Sequence, residues 1–410
     1  MERRPISYGR QTIDADDIKA VVDALASGTL TQGPLADEFE AALAEYAGAR
    51  HAVVCSSGTA ALHLACLAAG IGAGDSVVTS PLTFLASANC ALYTGAKPLF
   101  ADIDPATLNI DPVEVEKRLE REPSVKAVIP VHFAGLPCDL ERIHGVARGR
   151  GLMVIDDACH ALGARWRDSK GQWHRVGSAS YSDMSVFSFH PVKSITTCEG
   201  GAITTNDPGL YERLRLLRAH GVVKEQGRLK DRRHAPWYYE MQALGYNYRL
   251  SDIQCALGIS QLKKIDGFME RRNRIASIYA KALSRYPFIK TPFAGSGKES
   301  AFHLYPALIP FDELGVCKSR WFDLMKDTGI HPQVHYMPVH LQPYYRERFG
   351  YREGDFPNAE EAYRREVSLP IYPLLKDEET GYVVEAILST LACAATHGRP
   401  ESCARSVANQ

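Results

Sequence analysis

Lys193 stands in the run SVFSFHPVKSITTCEGGAITTN, residues 185–206. Apolar and β-branched residues precede it, and Gly200-Gly201 and a second strand-like run follow it. An ammonium half buried in such a run is costly to desolvate, and desolvation favours the neutral amine, which attacks carbonyl carbons. Two other stretches offer complementary groups. In CSSGTAALHLA, 55–65, a strand ends, Ser-Ser-Gly-Thr turns and a helix starts, so free backbone N–H groups and hydroxyls gather where a phosphate would fit. No Gly-Lys-Ser/Thr follows, so this is not a nucleotide-triphosphate loop. In VIDDACHALGA, 154–164, two aspartates close an apolar strand, where open α/β sheets place ligand-binding side chains. Alternation along a strand turns only one of Asp156 and Asp157 toward the cleft.

Each stretch alone also reads as ordinary structure: a capped helix, an N-cap or structural salt bridge, a packed core histidine at His160. Together they match one group. Pyridoxal 5′-phosphate carries a phosphate, an aldehyde and a ring nitrogen, and the chain offers an anion cradle, an amine and a carboxylate for them. Lys193 would hold it as a Schiff base, and Ser188, five residues earlier, could add a hydroxyl to the phosphate.

The elements that would position these residues alternate regularly. Strands are expected at 51–57, 75–81, 97–104, 125–133 and 152–158. Helices are expected at 58–70, 84–95, 111–121 and near 139–149, with Asp111 and Pro112 starting the third. Val- and Ile-rich strands alternating with helices imply a mainly parallel sheet covered on both faces, an α/β fold. After about residue 250 the texture changes. A long helical stretch, whole or broken, spans 250–286. A strand near 303–309, a helix near 318–328, a strand near 331–336 and a last helix near 377–394 follow. The expected organisation is a large α/β domain over 1–250, a small C-terminal α+β domain over 251–395 and a disordered polar tail over 396–410.

Composition narrows the function classes. The chain has 410 residues, a formal net charge of −1, 45% hydrophobic and 23% charged residues. Near-neutral charge argues against nucleic acid as the main partner. No apolar run approaches the roughly 18 residues a membrane span needs, and the charged start lacks the apolar core of a signal peptide, so a cytoplasmic location is expected. The ten cysteines form no C-x-x-C pair and read as reduced, packed thiols. HPQVH, 331–335, lacks the glutamate of a zinc helix, and no metal site is expected.

With these residues assembled, the chain resembles the sugar aminotransferase family named after its DegT, DnrJ, EryC and StrS members. The matching stretches run in order from about residue 6 to residue 394: TLTQGPLADEFE, SSGTAALHLA, VIDDACHALGA, SFHPVKSITTCEGGAITTN, RAHGV, GYNYRLSDIQCALGISQL and VHYMPVHLQPYY. The resemblance implies a fold type I pyridoxal-phosphate enzyme acting on nucleotide-linked keto sugars. It implies Lys193 as the Schiff-base lysine and Asp157 as partner of the pyridinium nitrogen, chosen over Asp156 by the spacing to His160, the third catalytic position. It places Gly58, Thr59 and Ser188 at the phosphate and Phe84 on the cofactor ring. It has Asn247 reach the phosphate from a neighbouring subunit, hence a homodimer with shared active sites. Arg249, His335, Tyr336 and His340 are expected sugar-nucleotide contacts.

Within the family, SFHPVKSITTCEGG and QCALGISQLKK resemble the UDP-4-amino-4,6-dideoxy-N-acetyl-β-L-altrosamine transaminases of pseudaminic acid synthesis. The expected reaction moves an amino group from L-glutamate, released as 2-oxoglutarate, to a UDP-4-keto-6-deoxy-N-acetylhexosamine. Another UDP- or dTDP-linked 3- or 4-keto sugar is the alternative. Longer segments around 166–183 and 223–241 depart from that subgroup, and KDRRH, 230–234, could touch the nucleotide or lie in solvent. Two rivals are weaker. A sugar dehydratase of this family lacks the lysine that this chain has. A non-catalytic sensor would need an added DNA-binding segment of about 60 residues, for which there is no room.

Overall fold

A computed structural model of the chain describes residues 5–231, 235–292 and 295–396. Its centre is a seven-stranded sheet of β1 (His51–Cys55), β2 (Ser76–Thr79), β3 (Lys97–Phe100), β4 (Val125–Ile129), β5 (Met153–Asp157), β6 (Met184–Ser188) and β7 (Gly201–Thr205). The spatial order is β1-β7-β6-β5-β4-β2-β3. Six strands run parallel, and β7 pairs antiparallel with both neighbours. Nearly every residue of these strands is buried, as expected for a sheet covered on both faces.

Local chemistry explains the helices beside the sheet. Helix Gly58–Ala68 begins at Ser57, whose hydroxyl accepts the N–H of Ala60 at 3.0 Å. Its alanine-rich length is buried almost throughout and lets it lie close on the sheet. Helix Pro112–Arg121 starts at Asp111, which accepts the N–H of Val113 at 2.8 Å, with Pro112 in the first turn. Helix Asp252–Leu262 opens with a reciprocal Ser251–Gln254 cap. It packs on helices Ala15–Ala26 and Pro34–Ala47. The stretch 250–286 is therefore two helices, Asp252–Leu262 and Ile265–Leu283.

One core cluster lies along the sheet and takes in Cys255, Leu262, Ile265 and Met269. A second gathers Ile6, Ile275, Tyr279, Trp321, Leu369 and Ile387 around the small antiparallel pair Tyr305–Leu308 with Glu366–Leu369. We propose these two cores as the centres of the large and small domains. Arg272 bridges the region with its fully buried guanidinium, donating to the carbonyls of Phe302, His303 and Ile371.

Several expectations change. The strand expected near 331–336 is only Ile330–His331, paired in parallel with Ile6–Ser7. The residues after it turn away to place His335 and Tyr336. Among the described residues eight cysteines are free thiols and Cys317 is disulfide-bonded, which chain spacing does not show because a bridge depends on spatial approach. The segment 166–183 forms a hairpin, Arg165–Arg167 with Trp173–Arg175, extended by Lys298–Glu299. The segment 223–241 includes the short ribbon Val222–Val223 with Glu240–Met241. Residues 232–234 of KDRRH and the tail 397–410 lie outside the described residues. Among the described residues no helix is long and apolar enough to cross a membrane.

Candidate active site

The site forms at one end of the sheet, where β1, β6 and β7 meet. Gly201, the first residue of β7, pairs with Cys55 on one side and Ser188 on the other. A side chain at Gly201 would put its Cβ 2.4 Å from the carbonyl oxygen of Ser57, so only glycine permits this approach. The loop carrying Lys193 leaves the end of β6 and returns at β7. It is closed by Phe189 N–H to Gly200 O at 2.8 Å and Thr197 N–H to Phe189 O at 3.0 Å. Thr196 Oγ also donates to Phe189 O, and Gln254 ties down Glu199 O.

Lys193 is half buried. Among the described residues its Nζ has no hydrogen-bond or ion-pair partner. Burial pushes its pKa below the ordinary lysine value, while Cys159 and Asp157 pull the other way. Burial thus favours the neutral amine, and among the described residues no hydrogen bond holds it elsewhere.

Ser57 caps Ala60, so the first two N–H groups of the helix, those of Gly58 and Thr59, are left for an outside acceptor. Gly58 lies against Ser188: a Cβ there would fall 2.8 Å from Ser188 Cβ and 3.3 Å from Cys159 Sγ. This is a concave anion cradle. Gly58→Ala is expected to weaken cofactor binding about tenfold or more while the fold is kept, because the added methyl fills the cradle and pushes Ser188 aside. Titration of pyridoxal 5′-phosphate into purified variant protein checks this.

The two aspartates face opposite ways, as alternation demands. Asp157 accepts the Ser87 hydroxyl at 2.5 Å and the Cys159 N–H at 3.1 Å, and Thr83 hydrogen-bonds Ser87 at 2.7 Å. Asp156 accepts Ser185 Oγ at 3.0 Å and lies 3.9 Å from His132. Asp157 is also the aspartate whose charge acts on Lys193.

His160 is buried, with Nε2 3.2 Å from the Tyr336 hydroxyl and Nδ1 without a hydrogen-bond partner among the described residues. Its ring lies 4.4 Å from that of His303 and 6.2 Å from that of Tyr336, and Tyr336 lies 6.1 Å from Phe84. Burial, then the charge of Lys193, holds His160 and His303 well below the usual histidine range. The same causes push His335 down to about 3. Lys193 is thus surrounded by neutral imidazoles.

The fold therefore brings together Lys193, Asp157, His160, Gly58, Thr59, Ser188, Phe84, His335 and Tyr336. Asn247 is exposed on a loop joined to the phosphate turn by Ser56 N–H to Tyr248 O at 2.8 Å, and Arg249 is half buried on the same loop. His340 lies elsewhere: buried, it meets Glu360 at 2.9 Å and packs 4.7 Å from Phe356. A cleft of about 650 Å³ beside the hairpin 165–175 is lined by 42–48, 172–180 and 259–266, with none of the site residues. Ser87, Thr83, His303, Tyr8, Glu366 and Ser368 also shape the site, and no motif in the sequence marks them; Cys159 does so from within VIDDACHALGA.

The residues present fit pyridoxal 5′-phosphate: a cradle that a single Cβ would fill, an unpartnered buried His160 Nδ1, a carboxylate and a free amine. Comparisons with known proteins identify the family. Residues 11–388 match the DegT/DnrJ/EryC1/StrS aminotransferase family. The chain is 42% identical over 383 residues to the spore coat polysaccharide biosynthesis protein SpsC of Bacillus subtilis (strain 168), covering 93% of this chain and 96% of the relative. It is 42% identical over 387 residues to a UDP-4-amino-4,6-dideoxy-N-acetyl-beta-L-altrosamine transaminase of Campylobacter jejuni (serotype O:23/36, strain 81-176), covering 94% and 97%. Among solved structures it is similar to Helicobacter pylori PseC, an aminotransferase involved in the biosynthesis of pseudoaminic acid. There the TM-score is 0.85 and the identity 32%, over 95% of this chain and 100% of that one.

Proposed function

Because the chain belongs to the DegT/DnrJ/EryC1/StrS aminotransferase family, with the fold type I architecture, we propose that it transfers an amino group from L-glutamate to a nucleotide-linked keto sugar. The sugar proposed is a UDP-4-keto-6-deoxy-N-acetylhexosamine, giving the 4-amino sugar. The observation that carries the reading is the unpartnered, half-buried amine of Lys193 beside Asp157 and the Gly58–Ser188 cradle. The name of the Campylobacter relative supports the choice of sugar.

Pyridoxal 5′-phosphate supplies an aldehyde that takes up amino groups and a ring that accepts a carbanion's electrons. The chain supplies the rest. The N–H groups of Gly58 and Thr59 and the Ser188 hydroxyl would hold the phosphate. Asp157, fixed by Ser87 and Cys159, would pair with the ring nitrogen. Phe84 and His160 would flank the ring. Nζ of Lys193 would anchor the aldehyde and serve as the base that moves the donor's α-proton.

A homodimer with Asn247 reaching the partner's phosphate is part of the proposal. Its support is exposed apolar surface: Ile18, Val22 and Leu25 on one helix face, and Trp237, Tyr239, Met241 and Leu244 near Asn247.

The test is a panel of UDP- and dTDP-linked 3- and 4-keto sugars with L-glutamate, products read by NMR. The expected result is one 2-oxoglutarate per 4-amino sugar formed from the UDP-4-keto-6-deoxy-N-acetylhexosamine. A preferred 3-keto or dTDP substrate would overturn the choice of sugar. Dehydration without loss of glutamate would overturn the transaminase reading.

A further inference from the structure

Glu366 is fully buried in the strand Glu366–Leu369, and one of its oxygens meets the segment that carries His335. Oε2 accepts the backbone N–H of His335 at 2.8 Å. Oε1 accepts the hydroxyl of Ser368, also fully buried. The Ser368 Oγ lies 2.8 Å from His335 Nδ1. A hydroxyl has one proton. Above the Glu366 pKa of about 7 the carboxylate takes that proton, Ser368 meets His335 only as an acceptor, and Nδ1 must carry the imidazole proton. Nε2 is then bare, and it has no hydrogen-bond partner among the described residues. Lys318 completes the arrangement. It donates to Tyr363 O at 2.7 Å and lies over the rings of Phe311 and Tyr363. Burial raises the Glu366 pKa to about 7, while the Ser368 hydroxyl and then the charge of Lys318 pull it down.

We propose that Glu366 is a positioning residue: through Ser368 it holds His335 as the Nδ1–H tautomer, so that Nε2 enters the group around Lys193 as a hydrogen-bond acceptor. The chemistry this recognises is a proton-bearing group, a sugar hydroxyl or a substrate ammonium. A diphosphate, which has only acceptors at neutral pH, is not a partner for it. His335 is then a contact for the sugar ring and not for the nucleotide's phosphates. The same grip sets Tyr336, whose hydroxyl meets His160. The substrate part rests on the transaminase reading; the tautomer does not.

Glu366→Gln is the discriminating variant. Its amide oxygen can keep the His335 N–H, but its NH₂ then donates to Ser368, whose proton must turn toward Nδ1. The His335 proton moves to Nε2. The experiment uses full-length chain labelled with ¹⁵N-histidine, free of substrate. His335→Gln assigns the resonance, and two-bond ¹H–¹⁵N correlations locate the proton. The expected result is Nδ1–H in the native chain and Nε2–H in Glu366→Gln. Turnover of the variant on the keto sugar should fall about a hundredfold with cofactor absorbance retained. Ser368→Ala, which buries no charge, should give mixed tautomers and a smaller fall. Nε2–H in the native chain, or Glu366→Gln with tautomer or turnover unchanged, overturns the proposal. A native chain that aminates no keto sugar overturns the functional reading instead, and the NMR result still decides the tautomer.

Discussion

Lys193→Ala and Lys193→Arg are each expected to lower turnover by about four powers of ten or more, because general acid–base transfer alone contributes up to about 10⁴-fold and the covalent anchor is lost with it. Stability should barely change. Nζ makes no hydrogen bond among the described residues, and the loop is closed by backbone bonds of Phe189 and Thr197 that neither substitution touches. Arginine keeps the charge and much of the length, yet a guanidinium does not lose its proton in proteins, so it can serve neither as nucleophile nor as base. Single-turnover kinetics with glutamate and with keto sugar, beside thermal unfolding of both variants, measure the two halves. Turnover near that of the native chain in either variant would refute the role of this amine.

The second large effect belongs to Asp157. Asp157→Ala should release the cofactor readily and slow both half-reactions about 10³-fold, the scale on which a single electrostatic partner of a developing charge acts. It also leaves Ser87 and Cys159 N–H without their acceptor. Asp156→Ala is the control on the other face of the strand. It strands Ser185 and His132, so its cost should appear as about 1–3 kcal/mol of stability, with half-reactions much closer to native. Equilibrium dialysis of the cofactor and stopped-flow absorbance distinguish the two variants. If Asp156→Ala loses the cofactor and Asp157→Ala keeps it, the carboxylate has been assigned to the wrong side of the strand.

Much of this site was legible because its parts sit where strands end. VIDDACHALGA and CSSGTAALHLA each show an apolar run breaking into small polar residues, and strand ends are where an open sheet presents ligand groups. The awkwardness of Lys193 was also visible, since charge in a half-buried run signals cost. What was hidden is tertiary. Ser87 sits in FLASANCALY as an ordinary helical residue, and only the packing of helix Ala86–Tyr93 near the end of β5 aims it at Asp157. Glu366 and Ser368 lie in RREVSLP, four strand residues preceded by arginines, too short and too charged for a periodic signal. His303 reaches His160 only because the backbone at 302–303 is held by Arg272, 30 and 31 residues away. The antiparallel insertion of β7 between β1 and β6 depends on pairing that no local pattern encodes.

That insertion has a practical corollary for anyone recombining this protein with its relatives. One glycine, at 201, is stitched to both the cradle turn and the stem of the lysine loop, so a single-residue slip would turn every neighbouring side chain over and misalign the two anchors together. The hairpin 165–175 and the ribbon segment 222–241 hang outside the seven-stranded sheet. Grafts belong at the hairpin 165–175, away from Asn247 and the apolar residues beside it, and crossovers should spare 185–206.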